Sequence, residues 1–156
     1  MADRVSVERV VAATPDVVWA LVSDVTRMGE WSPENVGAVW LGDEKAPVAG
    51  ARFRGTNENG KRTWKTLCTV VDADPGKSFA FEVKAGPLGV ARWEYRFEST
   101  GDRECRVTET WIDQRGKIVT FMGKPVSGVK DRAAHNRSGM ETTLARLAAV
   151  AEGASA

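Results

Sequence analysis

Val90-Ala91-Arg92-Trp93-Glu94-Tyr95-Arg96-Phe97-Glu98-Ser99 alternates large aromatic side chains with charged ones. Successive side chains of a strand point to opposite faces, so Trp93, Tyr95 and Phe97 share one face, while Arg92, Glu94, Arg96 and Glu98 share the other. A strand divided in this way belongs to an antiparallel sheet with one dry and one wet surface. The dry surface needs a cover.

The neighbouring segments extend that sheet in both directions. Residues 78–84 repeat the pattern, with Phe79, Phe81 and Val83 set against Ala80, Glu82 and Lys84, and Gly86-Pro87-Leu88-Gly89 turns the chain between the two strands. Thr100-Gly101-Asp102 leads into a strand at 104–113. Upstream, strands are predicted at 35–41, 51–56 and 62–73. Asn59-Gly60 gives a strong hairpin signal, and Asp74-Pro75-Gly76 marks another turn. These segments form an antiparallel meander. A first strand at 4–12 precedes them, followed by Thr14 as a helix N-cap and Pro15 at the first helical position. The short helix it opens carries Val17, Val18, Leu21 and Val22 on one side, and a second helical turn at 25–29 ends at Trp31-Ser32-Pro33.

The last third changes period. After a connector at 115–127, a long helix is predicted over 128–152, with Val129, Ala133, Asn136, Met140, Leu144, Leu147 and Ala151 in one narrow stripe. A sheet with one dry face and a helix with one apolar stripe bury those surfaces against each other. The expected fold is therefore α+β. A curved seven-stranded antiparallel sheet wraps around a long C-terminal helix, with two short helices after the first strand. Residues 1–156 read as a single domain, with 153–156 as a disordered tail.

Composition narrows the class of function. The 22 basic and 21 acidic residues leave a net charge of +1, which provides no field for nucleic acid or an anionic membrane. No stretch has signal-peptide or membrane-span character, and the two cysteines, Cys68 and Cys105, have no zinc-like spacing. A cytoplasmic location with reduced thiols is the default, and a monomer or weak homodimer is expected. The single histidine, His135, excludes a histidine-rich metal site. No phosphate loop or nucleophile elbow appears, so neither a cofactor nor a metal is expected. Six tryptophans against one tyrosine suggest a lined cavity, although an aromatic-rich solid core is the alternative.

Several strings resemble the START-like or Bet v 1-like (SRPBCC) superfamily, and within it the polyketide cyclase/dehydrase group. They are Ala13-Thr14-Pro15-Asp16-Val17-Val18-Trp19, Ser23-Asp24-Val25 with Glu30-Trp31-Ser32-Pro33, Trp93-Glu94-Tyr95-Arg96-Phe97, Val107-Thr108-Glu109-Thr110-Trp111, and Asn136-Arg137-Ser138-Gly139-Met140-Glu141 with Leu144 and Leu147. The resemblance spans almost the whole chain. It implies a helix-grip fold with a deep cavity, and a function among aromatase/cyclases, lipid carriers, hormone receptors and co-chaperone-like domains.

Glu109 stands between Val107 and Trp111 on an alternating strand, so all three should face the interior unless a bulge turns the carboxylate outward. A buried carboxylate has a raised pKa, which suits proton transfer. Tyr95, the only phenol, could orient a ligand carbonyl, act as a weak acid, or simply pack its ring. Asn136 is the polar member of the helix stripe. Trp31, Trp64, Phe79, Phe81, Trp93, Phe97, Trp111, Met140 and Leu144 are expected as wall. His135 is placed on the solvent side, about 140° from the stripe centre. Arg52 and Arg54 would hold an anionic ligand only if their parity faced inward. The connector 117–122, between Gly116 and Gly123, reads as a crossover or as a lid.

The leading function is binding of a hydrophobic or polycyclic small molecule, lipid or polyketide-like, between sheet and helix. A cyclase/dehydratase using Glu109 and Tyr95 for proton transfer is one rival. A protein-interaction domain of the co-chaperone or stress-linked type is the other.

Overall fold

The computed structural model describes residues 4–115 and 131–154. Strand β1 (Arg4–Val11) is followed by helix α1 (Pro15–Ser23) and a 3-10 turn (Val25–Glu30). Six strands come next: β2 (Asn35–Leu41), β3 (Arg52–Asn59), β4 (Arg62–Asp74), β5 (Ser78–Ala85), β6 (Leu88–Gly101) and β7 (Glu104–Asp113). The C-terminal helix is α2 (Arg132–Ala154).

The seven strands form one sheet in the order β1-β7-β6-β5-β4-β3-β2, and every pair is antiparallel. The meander accounts for β2 to β7, and β1 closes the far edge against β7. Register slips at Asn35/Gly37, Val70/Asp72, Val83/Lys84 and Ser99/Gly101 insert extra residues that bend the strands. The chain therefore belongs to the helix-grip class, α+β with a curved sheet.

Local chemistry starts and stops the elements. The Thr14 hydroxyl accepts the Val17 N–H at 3.4 Å, and Pro15 opens α1. Asp24 ends α1 and caps the 3-10 turn, its carboxylate accepting the Thr26 N–H at 3.2 Å. Gly29 brings that turn against β2, because a Cβ there would lie 2.8 Å from the Val36 carbonyl oxygen. Gly76 sits at φ +76°, with its open side filled by the Asp16 carboxylate. The β4–β5 turn and the start of α1 therefore touch. Asp131 accepts the Ala134 N–H at 3.1 Å, which caps α2.

The predicted edges shift in places. The Gly86-Pro87-Leu88-Gly89 turn is tighter than expected, because Ala85 already pairs with Leu88. Gly153 and Ala154, expected in a disordered tail, continue α2, and the connector at 116–127 lies outside the described residues. Among the described residues no helix is long and apolar enough to cross a membrane.

The core divides in two. A large cluster joins Val18, Leu21 and Val22 of α1 to Phe79, Phe97 and Val107 of the sheet and to Leu144, Leu147 and Ala151 of α2. A smaller one joins Val5, Ala91, Trp111 and Met140. Helix α2 is thus packed solidly over its second half. Its first half overlies a space.

Candidate ligand site

Between the concave sheet face and the first half of α2 lies a cavity of about 730 Å³. Trp31, Trp64, Trp93 and Trp111 contribute to its wall, as do Phe53 and Phe81. Helix α2 presents Arg132, His135, Asn136, Gly139, Met140 and Thr143 to it, residues three or four apart and so on one helical face. Lys65, Leu88 and Gly89 both line the cavity and stand exposed, which places the opening at the β3–β4 and β5–β6 end of the sheet.

Glu109 is buried on the inner wall. It pairs in register with Tyr95 on β6, and Trp93 pairs with Trp111 one inward step away. The Tyr95 hydroxyl donates to Glu109 Oε2 at 2.7 Å. Oε1 is the only buried side-chain N or O atom among the described residues without a hydrogen-bond partner. Burial pushes the Glu109 carboxyl up to about 8, against the smaller opposing effect of the Tyr95 hydrogen bond. Burial and the neighbouring carboxylate push the Tyr95 hydroxyl well above its usual 10. The flanking arginines do not turn inward. Arg92 pairs with Glu94 at 2.7 Å, and Arg96 is exposed. At neutral pH the Glu109 side chain is therefore a carboxylic acid, able to donate as well as accept.

A second polar group occupies the helix end of the cavity. Glu34, just ahead of β2, accepts from Arg132 Nη1 at 2.9 and 3.0 Å and meets His135 Nε2 at 3.0 Å. Arg132 also donates to Asn136 Oδ1 at 3.2 Å. His135 therefore lines the cavity while its side chain stays 38% exposed, whereas the helical wheel placed it on the solvent side alone. The helical wheel measures angle around the axis and carries no information about Glu34 reaching over from another element.

Near Arg132, at the C-terminal end of β7, burial pushes the Asp113 carboxyl up. Hydrogen bonds from the Arg115 guanidinium and backbone N–H outweigh that and hold it below its ordinary value. Cys68 lies on the wall, and burial pushes its thiol up to about 12.

Of the residues expected as wall, Trp31, Trp64, Phe81, Trp93, Trp111, Asn136 and Met140 line the cavity together with Glu109 and Tyr95. Phe79, Phe97 and Leu144 do not. They have the inward parity, but they sit where α1 and the second half of α2 fill the sheet face, and all three belong to the packed core. Arg52 and Arg54 point outward and are exposed. Glu34, Asn35, Asn57 and Arg132 also line the cavity and were not anticipated. Their polar character, in segments read as loop, wet helix face or, for Asn35, the start of a strand, hid them. Among the described residues no group of three His, Cys, Asp or Glu side chains could hold a metal ion.

Residues 2–152 match the sequence profile of a family described as polyketide cyclase / dehydrase and lipid transport. Among solved structures, the Polyketide_cyc-like protein Cgl2372 from Corynebacterium glutamicum is 30% identical. The match covers 96% of this chain and 92% of that one, with a TM-score of 0.63. The ZhuI aromatase/cyclase from Streptomyces sp. R1128 superposes with a TM-score of 0.71 at 19% identity, covering 97% and 94% of the two chains. The di-domain aromatase/cyclase StfQ of the steffimycin biosynthetic pathway gives 0.74 at 15% identity over 98% of this chain, which spans 51% of that larger protein. No functionally curated protein matches the sequence.

Proposed function

The chain belongs to the polyketide cyclase / dehydrase and lipid transport family, and from that premise we propose that it binds a hydrophobic or polycyclic small molecule, lipid or polyketide-like, in the cavity under α2. The observation that carries this reading is the cavity itself. Its volume of about 730 Å³ falls within the roughly 300–1,000 Å³ of small-molecule sites. Four tryptophans contribute flat apolar surface to its wall, and a few polar groups punctuate it. Among the described residues the exposed large hydrophobics are Val10, Val36, Val39, Val48 and Leu88, so the cavity is where an apolar guest gains most by leaving water.

Native mass spectrometry of freshly purified protein, paired with displacement of an environment-sensitive apolar dye, tests the reading. The expected result is one guest per chain, with dye binding weakened in Met140→Trp, whose larger ring intrudes on the hollow. A protein that carries nothing and binds no dye would speak against it.

A second reading is favoured by one further observation, the buried Glu109–Tyr95 pair. A neutral carboxylic acid inside an apolar cavity is suited to dehydration of a β-hydroxy ketone. Glu109 would protonate the departing hydroxyl, water would leave, and the resulting carboxylate would take the α-proton, so that the acid is restored. The aromatic walls would hold the chain folded for that step. Glu109→Gln, which cannot cycle a proton, should then abolish turnover while retaining the fold. Unchanged turnover would remove Glu109 from the chemistry and leave the binding reading in place.

A further inference from the structure

Among the buried side-chain N and O atoms of the described residues, one lacks a hydrogen-bond partner. Glu109 Oε1 is buried and unpartnered, while its sister atom Oε2 is held by the Tyr95 hydroxyl at 2.7 Å. An unmade hydrogen bond in an apolar interior persists only where something else completes it or a function needs it. The atom belongs to a cavity-lining residue, flanked in register by the Trp93–Trp111 pair and with Met140 on the facing helix. The atom has almost no accessible surface while the cavity is empty, so a guest group completes it when the carboxyl turns toward the cavity.

We infer that Tyr95 fixes the Glu109 proton on Oε1, and that the site thereby selects guests presenting a neutral oxygen acceptor, an aryl ketone or quinone, to that atom. The inference rests on the binding reading above and specifies the chemistry of the end inserted deepest. The geometry gives the polarity. The carbonyl oxygen of an acid is its better acceptor, so the phenol's hydrogen bond to Oε2 favours the acid hydroxyl on Oε1. Burial keeps the acid in its protonated form at neutral pH. A carbonyl oxygen can accept from it, and an olefin of the same shape cannot. Tyr95 is a positioning residue in this arrangement. Glu109 makes the contact.

The test compares 2-acetylnaphthalene with 2-isopropenylnaphthalene, in which a methylene replaces the carbonyl oxygen. Affinities are read by quenching of tryptophan fluorescence near pH 6.5. The ketone-to-olefin affinity ratio should fall about tenfold in Glu109→Leu, the loss of one buried hydrogen bond. Using the ratio cancels the different hydration of the two probes. Glu109→Gln, whose amide still donates, should keep part of it. Tyr95→Phe should lower it, because the proton is then free to move to Oε2.

The infrared carbonyl stretch of bound ketone should lie below its value in hexane for the wild type, and return to it in Glu109→Leu. A purely structural Tyr95 would move neither the ratio nor the stretch. A ratio equal in wild type and Glu109→Leu overturns the inference and leaves the cavity reading standing. So does tighter binding of naphthylmethylammonium than of the ketone, since it would mean an ionised Glu109. If neither naphthalene binds, the cavity reading fails and the inference goes with it.

Discussion

Tyr95 and Glu109 face each other across β6 and β7 as register partners, the phenol hydroxyl 2.7 Å from the carboxylate, with both side chains buried on the concave face of the sheet. This pairing places two titratable groups where water does not compete for them. Burial raises the pKa of each, and the consequences can be measured.

The first concerns stability and pH. Glu109 titrates near 8 in the folded protein, against an ordinary value of 4.5. Between those values the folded state holds a proton that the unfolded chain has released. This stabilising contribution is therefore complete below about pH 4.5 and is lost as pH rises to about 8. Tyr95 acts only at higher pH. Asp113, held below its ordinary value, contributes stability that is lost only in acid. Denaturant melts at about pH 5 and pH 9 should show the wild type weaker at the higher pH by about 4 kcal/mol. Glu109→Gln should be nearly flat. A wild type equally stable at both values would mean that the carboxyl is not buried as described.

Wall and core residues should separate in a pair of truncations. Phe79 is fully buried in the cluster between α1, the sheet and α2, so Phe79→Ala should cost about 3–5 kcal/mol. It should leave dye affinity within about threefold of wild type, measured where the variant is folded. Trp93 is half-buried on the cavity wall. Trp93→Ala should cost roughly 1–2 kcal/mol but weaken dye binding by about tenfold or more. The opposite ranking of affinities would misplace the wall.

Glu34 ties the segment ahead of β2 to the start of α2 by accepting from Arg132 and meeting His135. The Arg132–Glu34 side chains are only 15% and 24% exposed, so the pair is screened less than a surface bridge. Glu34→Ala should cost about 1 kcal/mol, and the difference should shrink in high salt. A loss that grows with salt would point to packing in place of charge.

Both thiols are free and buried, and burial raises both pKa values. Neither should react with a disulfide thiol reagent at about pH 8 within minutes, and both should react once the chain is unfolded. Rapid labelling of Cys68 in the native state would show that water and reagent reach the wall freely.

How much of this was readable in the sequence can be traced residue by residue. Period-two alternation put Trp93, Tyr95 and Phe97 on one face, and β6 has them there. Alternation reports the face and says nothing of what lies opposite, so it could not tell that Trp93 meets empty space while Phe97 meets α1 and α2. Glu109 and Asn136 were legible because each is a polar residue in an otherwise apolar stripe. His135 and Glu34 were not, because they come together from elements 101 residues apart and neither breaks a local pattern. The turn at Gly86-Pro87 was placed correctly, but its tightness depends on the Ala85–Leu88 pairing, which is a property of two strands and of no single string.

The decisive measurement follows the Met140 methyl and the Glu109 carboxyl carbon by NMR during titration with 2-acetylnaphthalene. An occupied hollow predicts one saturable event, one guest per chain, that moves both signals and leaves the Leu144 methyls, packed behind the wall, nearly still. Signals that stay fixed at saturating ketone, or shifts confined to exposed residues such as Val39, would mean that nothing enters the space between sheet and helix.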